Sequence, residues 1–252
     1  VTSAKDIIVR PIARADADRI VKRVHYSHAV VRNSQLHLGV FLGERCHGVM
    51  QFGPSLDKRK IQGLVTGTAW DGFLELNRLA FDDELPRNSE SRALSIAFRM
   101  LRKNAPQVKW IVSFSDATRC GDGTIYRAAG FILTGIKRNQ QTWRGPNGEI
   151  VTRMTVTNQA QHHGGSSSMR RYVDAGYKPL PGFQLRYLYF LDPSFRQRLT
   201  VKELPFSAIA EAGATMHRGV AKTPLHACAA LGGAQLPAAP DVRLDPHAPT
   251  DT

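Results

Sequence analysis

The chain has 252 residues, 42% of them hydrophobic, with 34 Lys and Arg against 21 Asp and Glu, a formal net charge of +13. That length suits one domain of about 200 residues with an appendage, and the basic excess asks for a polyanionic partner. No run approaches the roughly 18 apolar residues of a membrane span, and VTSAKDIIVR lacks the apolar stretch of a signal peptide, so a cytoplasmic protein without membrane contact is expected. Cys46, Cys120 and Cys228 are far apart and form no CxxC pair. They read as reduced thiols, not as a disulfide framework or a cysteine zinc site.

In chain order, DIIVRPI (6–12) alternates and is β-branched, which predicts a half-buried strand. A helix is expected over 13–28, where Ile20, Val21 and Val24 recur at helical spacing, with Asp16 as N-cap and Asp18 in the first turn. The runs 35–43 and 45–53 meet at Gly43-Glu44 and predict a hairpin. FLELNRLAF (73–81) reads as a central strand, because Leu74, Leu76, Leu79 and Phe81 are large and apolar. Past Pro86 a helix is predicted with Asn88 or Ser89 as N-cap and Leu94, Ala97, Phe98 and Leu101 on one face.

KWIVSFSD (109–116) predicts a short buried strand, followed by a loop, a short helix and a stop at Gly130. The stretch 131–158 reads as one hairpin turning at Pro146-Asn147-Gly148, and QHHGGSSS (161–168) as a polar linker. QLRYLYFL (184–191) is dense in β-formers and predicts a further strand on the main sheet. Residues 206–252 are rich in Ala, Pro and Gly; three basic against four acidic residues leave them at −1 and the rest of the chain at +14. Such a composition buries too little apolar surface to offset its ordering entropy, so a catalytic domain over 1–205 and a disordered tail over 206–252 are expected.

The order β-α-β-β-β-α-β-α-β-β, with YRAAGF after a strand and short helix, resembles the GNAT acyltransferase fold: α/β, a mixed central sheet flanked by helices. More specifically, VHYSH (24–28), LGVF (38–41), ELNRLAF (75–81), RNSESRALS (87–95), SFSDATRCGDGTIYRAAGF (113–131) and the later GFQLRYLYFLD resemble the phage Mom family over roughly residues 6–205. That resemblance implies a transferase converting adenine in duplex DNA to N6-carbamoylmethyladenine, an anti-restriction modification that shields bacteriophage DNA in the host bacterial cytoplasm. By motif position it implies catalytic roles for His25, Tyr26, Asp116 and Tyr126, and donor contacts by Arg78 and Ser91.

Each residue has a plainer reading beside this one. HYSH is either a solvent-facing helix end, or Tyr26 stacks on an extruded adenine while His25, with a free pKa of about 6.5, shuttles a proton. Asp116, at the carboxyl end of a strand where open α/β sheets place ligands, is either a cap or the acceptor or general base for the adenine N6 amine. Tyr126 is either packed or a general acid toward the leaving group. Lys58, Arg59 and Lys60 belong to one of several basic clusters, with Lys22-Arg23, Arg102-Lys103, Lys137-Arg138 and Arg170-Arg171. Singly these are solvated faces, but together they suggest a phosphate-tracking surface, flanked by the turn near Arg144.

The donor is where the chain departs from GNAT enzymes, which cradle coenzyme A with a glycine-bearing loop at a helix N-terminus. Here the stretch is Arg87-Asn88-Ser89-Glu90-Ser91-Arg92, without glycine and with an acid facing where phosphate would come. Acetyl-CoA and an aminoacyl-tRNA, glycyl-tRNA, are therefore the two donors to weigh. No metal set is assigned: His25, His28, His37, Cys46, His47, His162 and His163 fall at no convincing ligand spacing for iron or zinc. The competing functions are another GNAT N-acyltransferase using acetyl-CoA, and a non-catalytic DNA-binding protein.

Overall fold

The computed structural model describes residues 3–118, 121–163 and 165–212, without the side chains at 154, 158 and 161–163. Its strands are β1 (Ile8–Pro11), β2 (Leu36–Leu42), β3 (Arg45–Gly53), β4 (Phe73–Phe81), β5 (Trp110–Asp116), β6 (Ile132–Arg138), β7 (Thr142–Arg144), β8 (Ile150–Thr152), β9 (Lys178–Pro179) and β10 (Phe183–Phe190). Its helices are α1 (Arg14–Val24), α2 (Lys58–Gln62), α3 (Ser89–Asn104), α4 (Thr124–Ala128), α5 (Arg153–His163), α6 (Arg170–Asp174) and α7 (Ser207–Glu211). The chain divides into two compact units, with Gln140–Leu180 separate from the stretches before and after it.

The first unit is a mixed seven-stranded sheet in the order β1-β2-β3-β4-β5-β10-β6, parallel only between β4 and β5. Helix α3 covers one face. Its Ala93, Leu94, Ala97, Phe98 and Leu101 make one apolar stripe and join Leu38, Met50, Phe52, Leu76, Ile111 and Leu185 in the largest core. Helix α1 covers the other face at β3 and β4, where Ala17, Ile20 and Val21 meet Val49 and Ala80. Further along the same face, Ile61, Leu64 and Val65 from and after α2 pack on Phe73, Trp110, Val112 and Leu188. The expected architecture, a mixed central sheet flanked by helices, is what the strand pairings give.

The second unit is a small antiparallel sheet in the order β8-β7-β9. Its core is Val151, Val156, Tyr172 and Tyr177, with the two tyrosine rings edge to face at 5.1 Å.

Several expectations need correction. Asp16 does not cap α1: the helix starts earlier, at Arg14, behind Ala13, and Asp16 pairs instead with Arg19. The helix also stops at Val24, so HYSH lies beyond it. Asn88 does precede α3, but in a left-handed conformation and without a side-chain cap. The single hairpin over 131–158 is two structures. β6 pairs with β10, inserted from far along the chain beside β5, and only β7 and β8 form the hairpin around Pro146–Gly148.

Residues 153–163 are helical where strand and linker were expected. The signal was Thr152, whose hydroxyl accepts from the Thr155 backbone N–H at 3.2 Å, an N-cap three residues into β-branched sequence. Past 205 the chain continues into α7, whose Ile209 joins the main core; residues 213–252 lie outside the described residues. So do Cys120 and Cys228, while Cys46 is a free thiol.

Candidate active site

β4 and β5 run side by side only from Phe73–Glu75 against Trp110–Val112. Where they part, β4 is irregular: Gln51 of β3 faces Arg78 while Phe52 faces Leu76, which leaves Asn77 as the extra residue of a β-bulge. A bulge re-aims the side chains that follow it. Leu74 and Leu76 before it, and Leu79 and Phe81 after it, all point into the α3 core. Glu75, Asn77 and Arg78 therefore turn together toward the face that carries α1 and α2.

The polar groups meeting there come from two loops, between α1 and β2 and after β3. Ser55, just after β3, donates to Glu75, and the Asn77 side chain also bonds the Glu75 carboxylate. Ser34, buried in the loop before β2, donates to Asn77 Oδ1 at 3.1 Å. Gly53 is needed for that approach, since a Cβ there would lie 2.4 Å from the Asn33 carbonyl and 2.8 Å from Asn77 Oδ1. Arg78 donates from Nε to the Ala29 carbonyl at 3.0 Å and from Nη1 to its neighbour's carbonyl at 2.8 Å.

Burial sets the electrostatics of the cluster. It pushes the Glu75 carboxyl above the usual carboxylate range, against the opposing pull of Ser55, Asn77 and Arg78. Burial likewise lowers the Arg78 guanidinium, opposed by Tyr26, Glu75 and Tyr126. Those three groups thus lie within electrostatic reach of one guanidinium. Tyr26 and Tyr126, from distant parts of the chain, are thus both near enough to bear on the charge of Arg78.

His25 and Tyr26 begin the turn that closes α1. The His25 ring is buried and stands 4.3 Å from the Tyr26 ring. The Ser27 backbone N–H donates to His25 Nδ1 at 3.1 Å, and the Ser27 hydroxyl lies 2.7 Å from the same atom. A nitrogen that accepts an N–H carries the lone pair, so the neutral ring bears its proton on Nε2. His28 takes a left-handed backbone and donates from Nδ1 to the Lys22 carbonyl at 2.8 Å. Arg14 holds the Val31 and Arg32 carbonyls, and Arg78 the Ala29 carbonyl. Arg14 thus ties the loop after HYSH to α1, and Arg78 ties it to the sheet.

Asp116, at the end of β5, has a separate set of partners. Its Oδ1 accepts from the Thr118 backbone N–H at 3.0 Å, from the Thr118 hydroxyl, and from Gln184 of β10 at 2.9 Å. This is a capped turn, with one oxygen satisfied three times. Tyr126 stands on α4 among aromatic neighbours, 5.2 Å from the rings of Phe131 and Tyr187. Tyr187 in turn donates to the Asp122 carbonyl, which anchors the loop between β5 and α4.

Ser91 lies in the first turn of α3, where its hydroxyl donates to the Asn88 carbonyl at 3.2 Å. Ser89 is buried and bonds the Pro86 carbonyl at 2.6 Å, and Glu90 is the acid of that turn. Both hydroxyls are directed to the local backbone, and Glu90 opposes an anion at the positive end of the helix, although Arg87 and Arg92 flank it. These residues do not fit a pyrophosphate cradle.

Lys58, Arg59 and Lys60 form α2, with Arg59 and Lys60 exposed. Other basic pairs are partly committed to structure: Arg23 to Asp82 at 3.3 Å, and Arg102 to the Leu191 carbonyl and the Tyr189 hydroxyl at 2.9 and 2.8 Å. Among the described residues one group has metal-like composition, His47, Asp82 and Glu84. Arg23 and Arg45 already hold its two carboxylates.

Sequence reasoning missed Glu75, Asn77, Ser34 and Ser55. The available signal was Glu75 itself, a charge inside a strand expected to be central, where unpaired acids are rare.

A mixed sheet flanked by helices, parted beside an acid and an arginine, defines an α/β fold with a candidate site at the bulge of β4. Residues 6–208 match the Mom protein family. The methylcarbamoylase Mom of Escherichia phage Mu is 36% identical over 201 residues, 79% of this chain and 81% of that protein. Solved structures with partial likeness include Arabidopsis thaliana NAA60 in complex with a bisubstrate analogue, at 12% identity, 73% and 97% coverage of this chain and that one, and TM-score 0.46. Another is the spermidine/spermine N-acetyltransferase SpeG from Vibrio cholerae, at 8% identity, 77% and 98% coverage, and TM-score 0.44. The chain belongs to the Mom protein family, and it is a transferase. No helix among the described residues is long and apolar enough to cross a membrane.

Proposed function

We propose that this transferase converts adenine in duplex DNA to N6-carbamoylmethyladenine, and that in phage this shields the DNA from host restriction. Family membership supports the reaction, and the observation that carries it to particular atoms is the convergence of Glu75, Tyr26 and Tyr126 on Arg78. The adenine leaves the stack and lies against Tyr26. Asp116, its Oδ1 held by Thr118 and Gln184, turns Oδ2 to the N6 amine and orients it. Glu75, whose carboxyl is held above the ordinary range, takes the proton as N6 attacks; a base poised nearer to working pH transfers protons more effectively. His25 relays a proton through Nε2, and Tyr126 protonates the leaving group. Arg78 steadies the charge that develops on the donor carbonyl, with Ser91 as a further donor contact.

The donor that suits this chain is a glycyl ester, as in glycyl-tRNA. A glycyl group holds the two carbons and one nitrogen of a carbamoylmethyl group, whereas an acetyl group lacks the nitrogen. N6 attacks the ester carbonyl, the ester C–O bond breaks, and the tRNA hydroxyl leaves with a proton. The glycyl amine then attacks C6 and the original C6–N6 bond breaks, so that the old N6 becomes the terminal amide. Atoms balance without an oxidant or a metal. A polyanionic donor and a polyanionic acceptor both match the net charge of +13.

Lys58, Arg59 and Lys60 track the DNA backbone, and the catalytic domain extends past residue 205 to include α7, acting in the host cytoplasm. The test is to supply purified protein and DNA with acetyl-CoA or with charged glycyl-tRNA, then digest the DNA to nucleosides for mass spectrometry. Adenine heavier by one glycyl residue, with the charged tRNA alone, is expected. Modification with acetyl-CoA and none with the charged tRNA removes this donor; bound but unmodified DNA under both conditions favours a non-catalytic DNA-binding protein.

A further inference from the structure

Between β3 and β4 the chain carries two of the large apolar side chains most exposed in the described structure: Leu56 at 66% and Trp70 at 54%. A single exposed apolar side chain needs no explanation, but these two bracket a basic helix and stand on a rigid base. Lys58 Nζ lies 4.4 Å from the centre of the Trp70 ring. Beneath, Ile61, Leu64 and Val65 are buried against Phe73 and Trp110. The Thr68 hydroxyl donates to the Val65 carbonyl at 2.6 Å and accepts from the Trp110 indole at 3.0 Å, while Gln62 holds the Thr68 carbonyl at 2.7 Å. Trp70 is therefore presented to solvent by a fixed scaffold. Leu56 directly follows Ser55, the residue whose hydroxyl holds Glu75.

We propose that Leu56 and Trp70 are the duplex-opening edge of the site: Leu56 enters the base stack beside the target adenine, and Trp70 stacks on a base so exposed. The inference rests on the DNA reading above and extends it to how the base is extracted. Its chemistry is that of an apolar wedge with a cationic rim. Such side chains unstack a base step while lysine and arginine hold the flanking phosphates, and an indole offers a stacking face to any base. Asp57 and Asp71 reduce the local charge, but with Lys58, Arg59 and Lys60 the segment stays positive by one. The position suits the task, because the wedge is continuous in sequence with the loop that touches the candidate base Glu75.

The test uses the full chain and duplexes in which 2-aminopurine replaces adenine in each flanking context, so that extrusion raises its emission. The wild type is expected to bind at low salt and to raise emission in at least one context. Leu56→Ala and Trp70→Ala should bind with similar affinity and unchanged melting temperature, yet lose most of the rise, and Trp70→Phe should restore part of it. In the modification assay both alanine variants should lose about tenfold or more on duplex DNA, and little on single-stranded DNA, where nothing has to be opened. Equal emission and equal duplex modification by the alanine variants would overturn the wedge while leaving the modification reading intact. An absence of any emission rise in the wild type would also overturn the wedge, and an absence of duplex binding would overturn the wedge and the duplex reading together. A Trp70→Ala variant impaired only in tRNA binding would assign this edge to the other nucleic acid and likewise overturn it. Failure of the modification reading shows separately, as unmodified adenine in DNA whose 2-aminopurine does respond.

Discussion

β4 and β5 start as parallel neighbours and end in opposite ways. After their three paired positions, the last of them at Glu75, β4 bulges at Asn77, and Glu75, Asn77 and Arg78 meet polar groups drawn from residues 29–55. β5 runs on to Asp116 and closes into a turn held by Thr118, two residues away, and by the adjacent strand. Both strands deliver a carboxylate to the opening, but one is perturbed by burial and the other is capped. Burial without full pairing is what raises a carboxylate, and the proposed mechanism accordingly has Glu75 exchange a proton and Asp116 orient the amine.

The sharpest way to break this division is to exchange each acid for its amide. Glu75→Gln should lower turnover by about 10²–10⁴, the usual worth of a general base, measured as modified nucleoside per unit time. It should also leave the melting temperature at neutral pH unchanged or raised. Because the folded chain holds the Glu75 pKa above its unfolded value of about 4.3, stability is full below that value and falls as pH rises through the folded pKa. The glutamine removes that loss. In the wild type kcat/KM should climb with pH through the raised Glu75 pKa, and this limb should vanish in Glu75→Gln.

Asp116→Asn should cost less, about 10–100-fold, equivalent to one charge-assisted hydrogen bond of about 1.5–3 kcal/mol. Its pH limb should persist. A larger loss in Asp116→Asn, together with disappearance of the limb, would transfer the base role to Asp116. Arg78→Lys comes next: an ammonium cannot reproduce the planar fork that spans the Ala29 and Asn77 carbonyls. About 1–3 kcal/mol of stability should go with the charge-assisted hydrogen bonds lost, read by denaturant titration, and turnover should fall with it. Wild-type stability in that variant would mean the HYSH loop is held without Arg78.

The sequence made much of this legible, though unevenly. The strands of the main sheet follow from alternation, and α1 and α3 from their apolar stripes, because those patterns are local. The motif residues His25, Tyr26, Arg78, Asp116 and Tyr126 followed from a family resemblance, and the electrostatic reach of Tyr26 and Tyr126 to Arg78 could not have been read from spacing. The bulge at Asn77 exists only in the register against β3, so FLELNRLAF reads as regular alternation until a partner strand is known. Ser34 and Ser55 look like any loop serine, because burial of a polar residue is decided by the chain that covers it. The stretch 131–158 misled for the same reason: β6 continues an alternating pattern into β7, but its true partner β10 begins at Phe183.

The smallest predicted effect tests whether the capped end of β5 is as redundant as it looks. Thr118→Val removes the hydroxyl bond to Asp116 but keeps the backbone N–H at 3.0 Å and the Gln184 amide at 2.9 Å. Loss of one of three bonds to a single oxygen should cost about 0.5–1.5 kcal/mol at most and reduce turnover only a few-fold. The corresponding change beside β4, Ser55→Ala, removes one of the groups that lower the Glu75 pKa and should shift the activity limb to higher pH. If instead Thr118→Val moves the pH limb and Ser55→Ala does not, Asp116 is the titrating acid despite its cap, and the contrast between the two strand ends must be reversed.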